Sequence, residues 1–392
     1  MEDLSVIIIG AGIGGLTTAL ALQRVGISAT VYEAAPELNE VGAGLTISSN
    51  ATHALEFCGL GPFLEEHGFT PDQGGLIHYR TGKALVQPQI GRDYKAKFGA
   101  EYYLIHRADL HNGMVGHLQS QNPDAIVLDH TFVGLEQTDD VVTVRFSNGA
   151  MDTADVVIGA DGLRSAVRGC LFDTPEPKFT GQVAFRGLAS AADVEPFMSV
   201  APAAVAMGPG HTITRYYIRN RTMVNVVCLA KTDAWQEEGW STPATTDEVL
   251  KEHEGWHADL IGLLKAIPED TLYKWALFDR DALPVWSQGQ VTLLGDAAHP
   301  MLPFQGMGAA MAMEDGVVLA RCFEAAASAP EAFERYEKAR VEHANGVLLG
   351  SRAMGVWYQT TDPDNFTGFP QPSSAGGPEG NLMAYNPATV TV

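Results

Sequence analysis

The sequence predicts an α/β fold, in which a parallel sheet covered by helices is combined with a second domain built on a mostly antiparallel sheet and with C-terminal helices. Three observations support this prediction. An apolar strand at the N-terminus runs directly into a glycine-rich turn and a helix, two similar apolar strands follow far downstream, and residues 211–227 alternate between polar and apolar side chains. Continuous apolar strands are typical of parallel sheets, whereas alternation is typical of antiparallel sheets with two different faces.

The composition fits a folded chain of 392 residues, of which 46% are hydrophobic and 18% are charged. Lys and Arg number 25 and Asp and Glu number 47, which gives a formal net charge of −22. Such a surface repels nucleic-acid phosphates and anionic lipids, so we expect neither a nucleic acid nor a membrane as partner. The four cysteines are too far apart for a Cys-x-x-Cys, zinc-ribbon or iron–sulfur site. We expect a cytoplasmic monomer or homodimer.

The first motif consists of a strand, a glycine-rich turn and a helix. The apolar run 5–9 is followed by Gly10, Gly12 and Gly15 and then by helix-forming residues. In a dinucleotide-binding unit the first glycine permits the tight turn, the second lets backbone amides approach a pyrophosphate, and the third allows close packing of helix on strand. Glu33 ends a second strand about twenty residues later, where a carboxylate accepts a hydrogen bond from a ribose 2′-hydroxyl. The order predicts a site for the AMP half of FAD or NAD rather than NADP.

Two later segments repeat the pattern of a buried strand followed by a turn. Residues 155–158 lead into Asp161-Gly162, and residues 291–294 lead into Gly295-Asp296 and a helix from about residue 308. Together with the N-terminal motif, these segments resemble the class A flavoprotein aromatic monooxygenases, the family that includes p-hydroxybenzoate and salicylate hydroxylases. The resemblance extends over nearly the whole chain. It implies a Rossmann-like FAD-binding domain with an interleaved substrate domain, FAD as cofactor, and NADH or NADPH as co-substrate.

The resemblance also assigns residues to the flavin end of the cofactor. Asp296 would hold the ribityl chain, and Arg107 would reach the ribityl or pyrophosphate region. Backbone amides between Gly306 and Gly308 would face the flavin pyrimidine ring, because a helix N-terminus places unpaired N–H groups beside the negative charge of reduced flavin. Met307 departs from the family, which commonly has glutamine here. We therefore assign the two glycines to the site but give Met307 no role.

The middle segment is assigned by the resemblance to the region where FAD meets the path of NAD(P)H. Asp161 and Gly162 would lie beside FAD. Arg164 and Arg168 would be available to the phosphates of the reductant.

The alternating stretch predicts hairpin strands at residues 211–218 and 223–227. We expect this second sheet to cover the flavin, with the substrate between them. Because only every second residue of such a strand faces inward, each candidate could instead belong to the core. The expected substrate contacts are His211, Tyr216 and Tyr217 as catalytic residues, with His211 as proton acceptor, and Arg186, Pro303 and Phe304 as substrate-binding residues, with Arg186 anchoring a carboxylate.

The order of these motifs also predicts the domain boundaries. Residues 356–392 include a stretch rich in Pro, Gly and Ser, which favours an extended tail. The predicted units are an FAD-binding domain at 1–75, 100–180 and 280–355, a substrate domain at 76–99 and 181–279, and the tail at 356–392.

Residues 253–257 match the His-Glu-x-x-His pattern of zinc proteases. Gly255 weakens a helix at the centre of the pattern, and no third ligand stands out downstream. Members of the resembled family also show a Gly-Trp-His stretch here without a metal. We expect no metal site.

Aromatic hydroxylation is the reaction that the resemblance implies. NAD(P)H would reduce FAD, O₂ would add at flavin C4a, and the hydroperoxide would deliver oxygen to an electron-rich aromatic or heteroaromatic ring. The protein would place the ring, exclude water and accept a phenol or heteroaryl proton. Alternatives are epoxidation or Baeyer–Villiger oxidation in secondary metabolism by the same flavin peroxide, or a flavin oxidoreductase that inserts no oxygen.

Overall fold

The computed structural model describes residues 4–38, 42–87, 93–138, 141–232, 242–369 and 382–392. No helix within these ranges combines the length and the apolarity needed to cross a bilayer. The strands are β1 (Val6–Ile9), β2 (Ala29–Tyr32), β3 (Gly44–Ile47), β4 (Leu76–His78), β5 (Ala84–Val86), β6 (Tyr103–His106), β7 (Ile126–Val127), β8 (Phe132–Gln137), β9 (Val142–Phe146), β10 (Met151–Ala154), β11 (Val156–Gly159), β12 (Lys178–Ser190), β13 (Ala203–Gly208), β14 (His211–Ile218), β15 (Met223–Lys231), β16 (Thr242–Pro243), β17 (Tyr273–Asp279), β18 (Ser287–Gln288) and β19 (Val291–Leu293). The α-helices are α1 (Ile13–Arg24), α2 (Ser49–Phe57), α3 (Gly61–His67), α4 (Tyr94–Phe98), α5 (Arg107–Gln121), α6 (Ala166–Leu171), α7 (Ala191–Val194), α8 (Thr246–Glu252), α9 (Ala258–Lys265), α10 (Gly308–Ala325) and α11 (Ala329–Thr360).

The first large sheet has six strands in the order β18-β19-β11-β1-β2-β7. Strand β1 pairs in parallel with β2 and with β11, and β11 pairs in parallel with β19. Their last residues lie side by side, with Ile9 opposite Gly159 and Gly159 opposite Leu293. Ligands of such sheets bind beyond the carboxyl ends of the strands. The register therefore brings the turns that follow all three predicted motif strands to one edge.

Helices α1 and α10 pack closely on each other beside this edge. A Cβ atom at Gly316 would lie 2.9 Å from the backbone nitrogen of Thr18, and one at Gly14 would lie 3.1 Å from the Cβ of Ala312. These glycines let the two helices approach at backbone distance. As a result, the N-termini of α1 and α10 lie next to each other.

The second large sheet has eight strands in the order β16-β17-β12-β15-β14-β13-β4-β5. Strand β4 pairs in parallel with β13, whereas β12, β14 and β15 are antiparallel neighbours. One face packs on α8 and α9 through a core that includes Ile213, Tyr217, Val226 and Leu263. The opposite face therefore carries the alternate residues of each strand.

The C-terminal region is less extended than the sequence suggests. Helix α11 continues to Thr360, beyond the expected domain boundary at residue 355. Residues 382–392 pack on the core of the first sheet through Leu382 and Val390, and Arg321 Nη1 donates to the carbonyl of Pro387 at 2.8 Å. Through these apolar contacts, residues 382–392 cover part of the core of the first sheet. The rest of the Pro/Gly/Ser-rich stretch, from 370 to 381, lies outside the described residues.

Candidate active site

A groove of about 410 Å³ lies beyond the carboxyl ends of β1, β11 and β19. We call it the glycine groove, because the turns after all three strands contribute glycines to it. Strands β12, β14 and β15 of the second sheet line its other side. Of the residues predicted to bind cofactor or substrate, it contains Gly12, Arg107, Gly162, Arg186, Tyr216, Asp296, Pro303, Gly306 and Gly308.

The turn after β1 has the geometry that a pyrophosphate requires. Gly10 has φ +107°, and a Cβ there would lie 2.5 Å from the carbonyl oxygen of Ala160. A Cβ at Gly15 would fall on the carbonyl oxygen of Gly10. At Gly12, by contrast, a Cβ would meet no atom within 4 Å, although this residue begins α1. Protein packing thus explains the first and third glycines, and the open backbone at Gly12 fits a phosphate ligand at the helix N-terminus.

Glu33 supports this turn from the end of β2. Its carboxylate accepts hydrogen bonds from the backbone N–H groups of Ala11 at 2.8 Å and Ala35 at 2.9 Å. A carboxylate has about four acceptor sites, so these bonds leave capacity for a ribose hydroxyl. The ribose contact stays a prediction.

Asp296 and Arg107 lie at the flavin end of the groove. Burial raises the pKa of Asp296, while nearby His299 and Arg107 oppose this shift. Gly306 has φ +65° and turns the chain into α10, where a Cβ on Gly308 would lie 3.9 Å from Asp296 Oδ1. The Asp296 carboxylate, the Arg107 guanidinium and the N-terminus of α10 therefore lie close together in the groove. Such a set of groups can bind the polar side of a flavin.

The side chain of Met307 points away from this convergence. It is 2% exposed, and its Sδ lies 3.9 Å from Ser48 Oγ in the interior. The residue occupies the N-cap position of α10 and makes no capping bond through its side chain. The departure from glutamine therefore leaves the backbone amides of the α10 N-terminus in place.

A buried charge network lies behind Asp296. Asp315 accepts hydrogen bonds from the backbone N–H of Gly295 at 2.9 Å and from Arg340 Nε at 2.8 Å, and its carboxylate contacts His299 Nε2 at 2.5 Å. Arg340 also donates to Glu314, and these side chains are at most 1% exposed. Burial alone would raise the pKa of Asp315, but His299 and Arg340 hold it well below its ordinary value. The network fixes the turn that presents Asp296.

Sequence reasoning missed this network, although the sequence contains a signal for it. Glu314 and Asp315 are adjacent acids in the first part of α10, where residues 308–320 are otherwise apolar or glycine. Carboxylates are almost never fully buried unless they are paired, so two of them in a buried helix predict a buried cation nearby. Arg340 is that cation.

The Asp161 side chain, predicted to lie beside FAD, forms hydrogen bonds within the protein. Its carboxylate accepts hydrogen bonds from Ser165 Oγ and from the backbone N–H of Val167 at 3.1 Å, so it caps the start of α6. Burial raises its pKa. Gly162 has φ +79°, a Cβ added to it would meet no atom within 4 Å, and it is the part of this turn that faces the groove. Gly162 therefore lines the groove while the Asp161 carboxylate bonds to α6, and the cofactor contacts of both residues stay predictions.

The two arginines after this turn also differ from each other. Arg164 is exposed and lines a cavity of about 430 Å³ that adjoins the glycine groove at Trp275 and Asp296. Arg168 is 2% exposed, and its Nη1 donates to the carbonyl of Ala297 at 3.3 Å. Arg168 is therefore held by backbone carbonyls and does not line the groove.

A third cavity, of about 280 Å³, adjoins the glycine groove at Pro303. We call it the tyrosine pocket. The hydroxyls of Tyr102 and Tyr216 both lie near the Thr46 side chain. Burial raises the pKa of Tyr102 to about 12 and that of Tyr216 further, so both hydroxyls are protonated at neutral pH. The pocket is lined by Thr46, Leu76, Tyr102, Leu104, Val205, Thr214, Tyr216, Pro303, Phe304, Gln305, Tyr358 and Phe369, among others.

The structure contradicts the expected roles of His211 and Tyr217. Both lie on the face of β14 that packs on α8 and α9, opposite the pocket. His211 Nε2 is 3.4 Å from Glu252, and Tyr217 packs in the core with the Arg221 guanidinium 4.8 Å from its ring centre. Neighbouring strand residues point to opposite faces, so Tyr216 reaches the pocket and Tyr217 does not. Thr214, two residues before Tyr216, is the pocket residue that sequence reasoning missed on this strand.

The other predicted substrate contacts lie on the correct side. Arg186 lines the glycine groove rather than the tyrosine pocket, with its guanidinium carbon 5.1 Å from the centre of the Trp275 ring. Pro303 borders the groove and both neighbouring cavities. Phe304 lines the tyrosine pocket and stacks on Tyr358 at 6.2 Å. Thr46 and Tyr102 could not be found from local patterns, because they come together only through the pairing of β3 with β6.

The His-Glu-x-x-His segment does not form the helix that a zinc motif needs. His253 ends α8 and His257 begins α9, while Gly255 between them has φ +79°. His253 is fully buried, its Nδ1 lies 2.7 Å from the carbonyl of Val249, and burial lowers its pKa to about 4. The two imidazoles therefore do not share one helical face.

Comparison with known proteins agrees with this geometry. Residues 3–351 match the family described as FAD binding domain. The chain is 36% identical to a 3-amino-4-hydroxybenzoate 2-monooxygenase of Streptomyces platensis, over 91% of this chain and 88% of that protein. It is 35% identical to a 6-hydroxynicotinate 3-monooxygenase of Pseudomonas fluorescens, over 91% of this chain and 92% of that protein.

Solved structures give the same result. Klebsiella pneumoniae HpxO complexed with FAD and uric acid superposes with a TM-score of 0.84 at 25% identity, covering 93% of this chain and 91% of that one. A salicylate hydroxylase substrate complex gives a TM-score of 0.77 at 26% identity, with 93% and 91% covered. The resemblance drawn from the sequence motifs is confirmed. The chain belongs to the FAD binding domain family and is an FAD-dependent oxidoreductase of the monooxygenase class.

Proposed function

We propose that this enzyme uses NADH or NADPH and O₂ to hydroxylate an electron-rich aromatic or heteroaromatic ring bound in the tyrosine pocket. The observation that supports this most directly is the continuity of that pocket with the glycine groove. Thr46, Thr214, Tyr216, Pro303 and Gly306 line both spaces. A ring in the pocket would therefore lie against whatever occupies the flavin end of the groove.

The residues along the groove fit FAD. The turn from Gly10 to Gly15 would hold the pyrophosphate, Glu33 the ribose, and Arg107 with Asp296 the ribityl region. The N-terminus of α10 would face the electron-rich edge of the flavin. When bound, FAD supplies the redox chemistry, since it takes reducing equivalents from NAD(P)H and activates O₂ for transfer to the ring.

The tyrosine hydroxyls would orient the substrate. Because their pKa values are raised, the hydroxyls of Tyr102 and Tyr216 keep their protons, so they can donate hydrogen bonds but do not accept a proton from the substrate as phenolates. A donor aimed at a phenolic oxygen orients the substrate and favours the deprotonated form of that oxygen, and a phenolate ring is more reactive towards an electrophile. Thr46 lines the pocket beside the two donors.

Apolar walls would keep water out of the same pocket. Leu76 is 2% and Leu104 1% exposed, and Phe304 closes the side towards α11. Excluding water protects a reactive oxygen-transfer step from side reactions and strengthens the hydrogen bonds inside. We expect substrate turnover to produce little hydrogen peroxide.

The cytoplasm is the proposed location of this chemistry. The four cysteines are free thiols, three of them buried. Unpaired thiols suit a reducing compartment, which also supplies NADH and NADPH.

The proposal is tested by purifying the protein, recording its visible spectrum, and measuring NADH and NADPH oxidation with a panel of ring substrates. The panel includes 3-amino-4-hydroxybenzoate, 6-hydroxynicotinate and hydroxyquinolines, with ¹⁸O₂ as oxygen source and peroxide detection. We expect a flavin spectrum and one ¹⁸O atom in the product of at least one ring. A protein that binds no FAD, or a flavoprotein that passes electrons to an acceptor other than O₂ without labelling any ring, would contradict the proposal.

A further inference from the structure

The segment after α11 forms part of the tyrosine pocket. Phe369 lines the pocket, and its ring centre lies 5.4 Å from that of Trp357. Phe366 lies 6.2 Å from both of these rings and packs against a cluster that contains Leu76 and Tyr358. We call Trp357, Tyr358, Phe366 and Phe369 the aromatic wall.

A histidine on the second sheet contacts the segment that carries this wall. His78, in β4, is 5% exposed, and its Nε2 lies 3.0 Å from Asp364 Oδ1. His78 is two residues after Leu76, so both side chains project from the same face of the strand. The pocket lining and the anchor of its wall therefore come from neighbouring positions of one strand.

The surroundings of His78 determine which of its nitrogens carries the proton. Nδ1 lies 3.1 Å from the backbone nitrogen of Arg80 and 3.4 Å from that of Thr81, and both are N–H donors. A neutral imidazole that accepts at Nδ1 has its hydrogen on Nε2, and so Nε2 donates to Asp364. The anchor needs an acceptor oxygen at residue 364 but does not need a negative charge.

Other contacts of the segment contribute less to this attachment. Arg80 Nη2 lies 3.5 Å from Asp364 Oδ2, but their side chains are 58% and 51% exposed, and such surface pairs contribute little. Asp362 accepts hydrogen bonds from the backbone N–H of Asp364 and from Asn365 Nδ2, which are bonds within the segment. The bond from the buried His78 is therefore the polar contact that links this segment to the sheet, beside the apolar packing of Phe366.

We propose that the His78–Asp364 hydrogen bond positions the aromatic wall and thereby determines how tightly the tyrosine pocket binds its aromatic substrate. The inference rests on the proposed function in one respect, namely that the substrate occupies this pocket. His78 and Asp364 act as positioning residues, since neither lines the pocket.

Two substitutions at residue 364 separate the hydrogen bond from the charge. Asp364→Ala removes the acceptor, whereas Asp364→Asn retains an acceptor oxygen and removes the charge. Asp124→Ala is the matched control, because Asp124 is an exposed acid in the loop between α5 and β7 of the other domain. Each variant is studied as the full-length FAD-loaded protein.

Amide hydrogen exchange over residues 361–369 tests the anchor. Loss of this part-buried hydrogen bond should accelerate exchange in Asp364→Ala by about tenfold. Asp364→Asn should recover most of this loss, and Asp124→Ala should match the wild type. Unchanged exchange in Asp364→Ala would overturn the anchor.

Binding of a ring probe tests the consequence for the pocket. The dissociation constants of 3-amino-4-hydroxybenzoate and 6-hydroxynicotinate are measured from the change that they cause in the flavin spectrum, and KM and kcat are measured where turnover occurs. We expect Asp364→Ala to raise Kd and KM about fivefold, with a smaller change in kcat and unchanged FAD affinity, and Asp364→Asn to restore them. Faster exchange without any change in probe affinity would overturn the role of the wall. A wild-type protein that binds neither probe would count against the proposed function, while the exchange rates would still decide the anchor.

Discussion

The two sheets contribute different kinds of group to the active site, namely backbone in one case and side chains in the other. The parallel sheet presents mainly backbone: Gly12 and Gly162 expose turns to the groove, and a buried charge network fixes the turn that carries Asp296. The antiparallel sheet presents side chains from a single face, among them Tyr216 and a neighbouring threonine. A cofactor common to many enzymes can be held by backbone, whereas a particular ring needs particular side chains.

This difference also decides how each half responds to mutation. On the parallel sheet, the sensitive positions are those where an added atom strikes backbone or where a buried charge loses its partner. On the antiparallel sheet, sensitivity should alternate along each strand. Substitutions in each half test this contrast, the most damaging first.

Asp315→Ala should give the greatest loss of stability. It would leave Arg340 and His299 buried beside an unfilled space, and breaking a buried ion pair in this way costs about 3–5 kcal/mol. Thermal or urea unfolding should show this loss, together with weaker FAD binding, because Asp315 also holds the backbone N–H of Gly295. Asp124→Ala on the surface is the control. A variant with the stability of the wild type would show that the network is dispensable.

Gly15→Ala and Gly12→Ala should separate folding from cofactor binding. The methyl group at Gly15 would strike the Gly10 carbonyl, and overpacking of this kind costs about 1–3 kcal/mol of folding free energy. The methyl group at Gly12 would meet no protein atom, so this variant should unfold like the wild type without FAD yet bind FAD at least about tenfold more weakly. Unfolding of the apoprotein measures the first effect, and flavin titration measures the second. If both variants destabilised the apoprotein equally, the assignment of Gly15 to packing and of Gly12 to the cofactor would be wrong.

The free energy of unfolding should depend on pH through His253, which lies at the end of α8 in the helical layer that covers the antiparallel sheet. Its pKa is lowered to about 4 by burial, and an unfolded histidine has a pKa of about 6.5. The unfolded state therefore binds the proton more readily between these values, and the contribution of His253 is complete above pH 6.5 and lost as the pH falls towards 4. Linkage gives a loss of about 2 kcal/mol at pH 5. Unfolding free energies between pH 7 and 5 should show this slope.

His253→Gln is the test variant for that slope. Glutamine keeps an N–H donor but does not titrate, so the dependence on pH should be weaker by about the same 2 kcal/mol. A variant with the full slope of the wild type would show that another group is responsible.

The sequence was more informative about the parallel sheet than about the antiparallel sheet. Gly10, Gly12 and Gly15 could be assigned because their roles depend on local backbone geometry and on the order of strand, turn and helix. Asp161 could not, since an acid after a turn can either face a ligand or cap the next helix, and its choice depends on the amides of α6. The sequence around the acid looks the same whether it faces a ligand or caps a helix.

The substrate side depended on information that is not local. Alternation predicted β14 correctly, but it did not show which of its two faces packs on α8 and α9, and so His211 and Tyr217 were chosen together with Tyr216. Thr46 and Tyr102 join Tyr216 only after β3 and β6 pair with each other. Their contact is a product of tertiary packing.

The neighbouring tyrosines of β14 offer the most direct test that the substrate lies on the pocket face of this sheet. Tyr216→Phe and Tyr217→Phe each remove one hydroxyl from adjacent positions, and kcat/KM and the yield of hydroxylated product per NAD(P)H are measured for both. We expect Tyr216→Phe to lower kcat/KM by about tenfold and to increase peroxide formation, because a donor to the substrate oxygen is lost, and Tyr217→Phe to match the wild type. The reverse order, or equal effects, would place the substrate elsewhere.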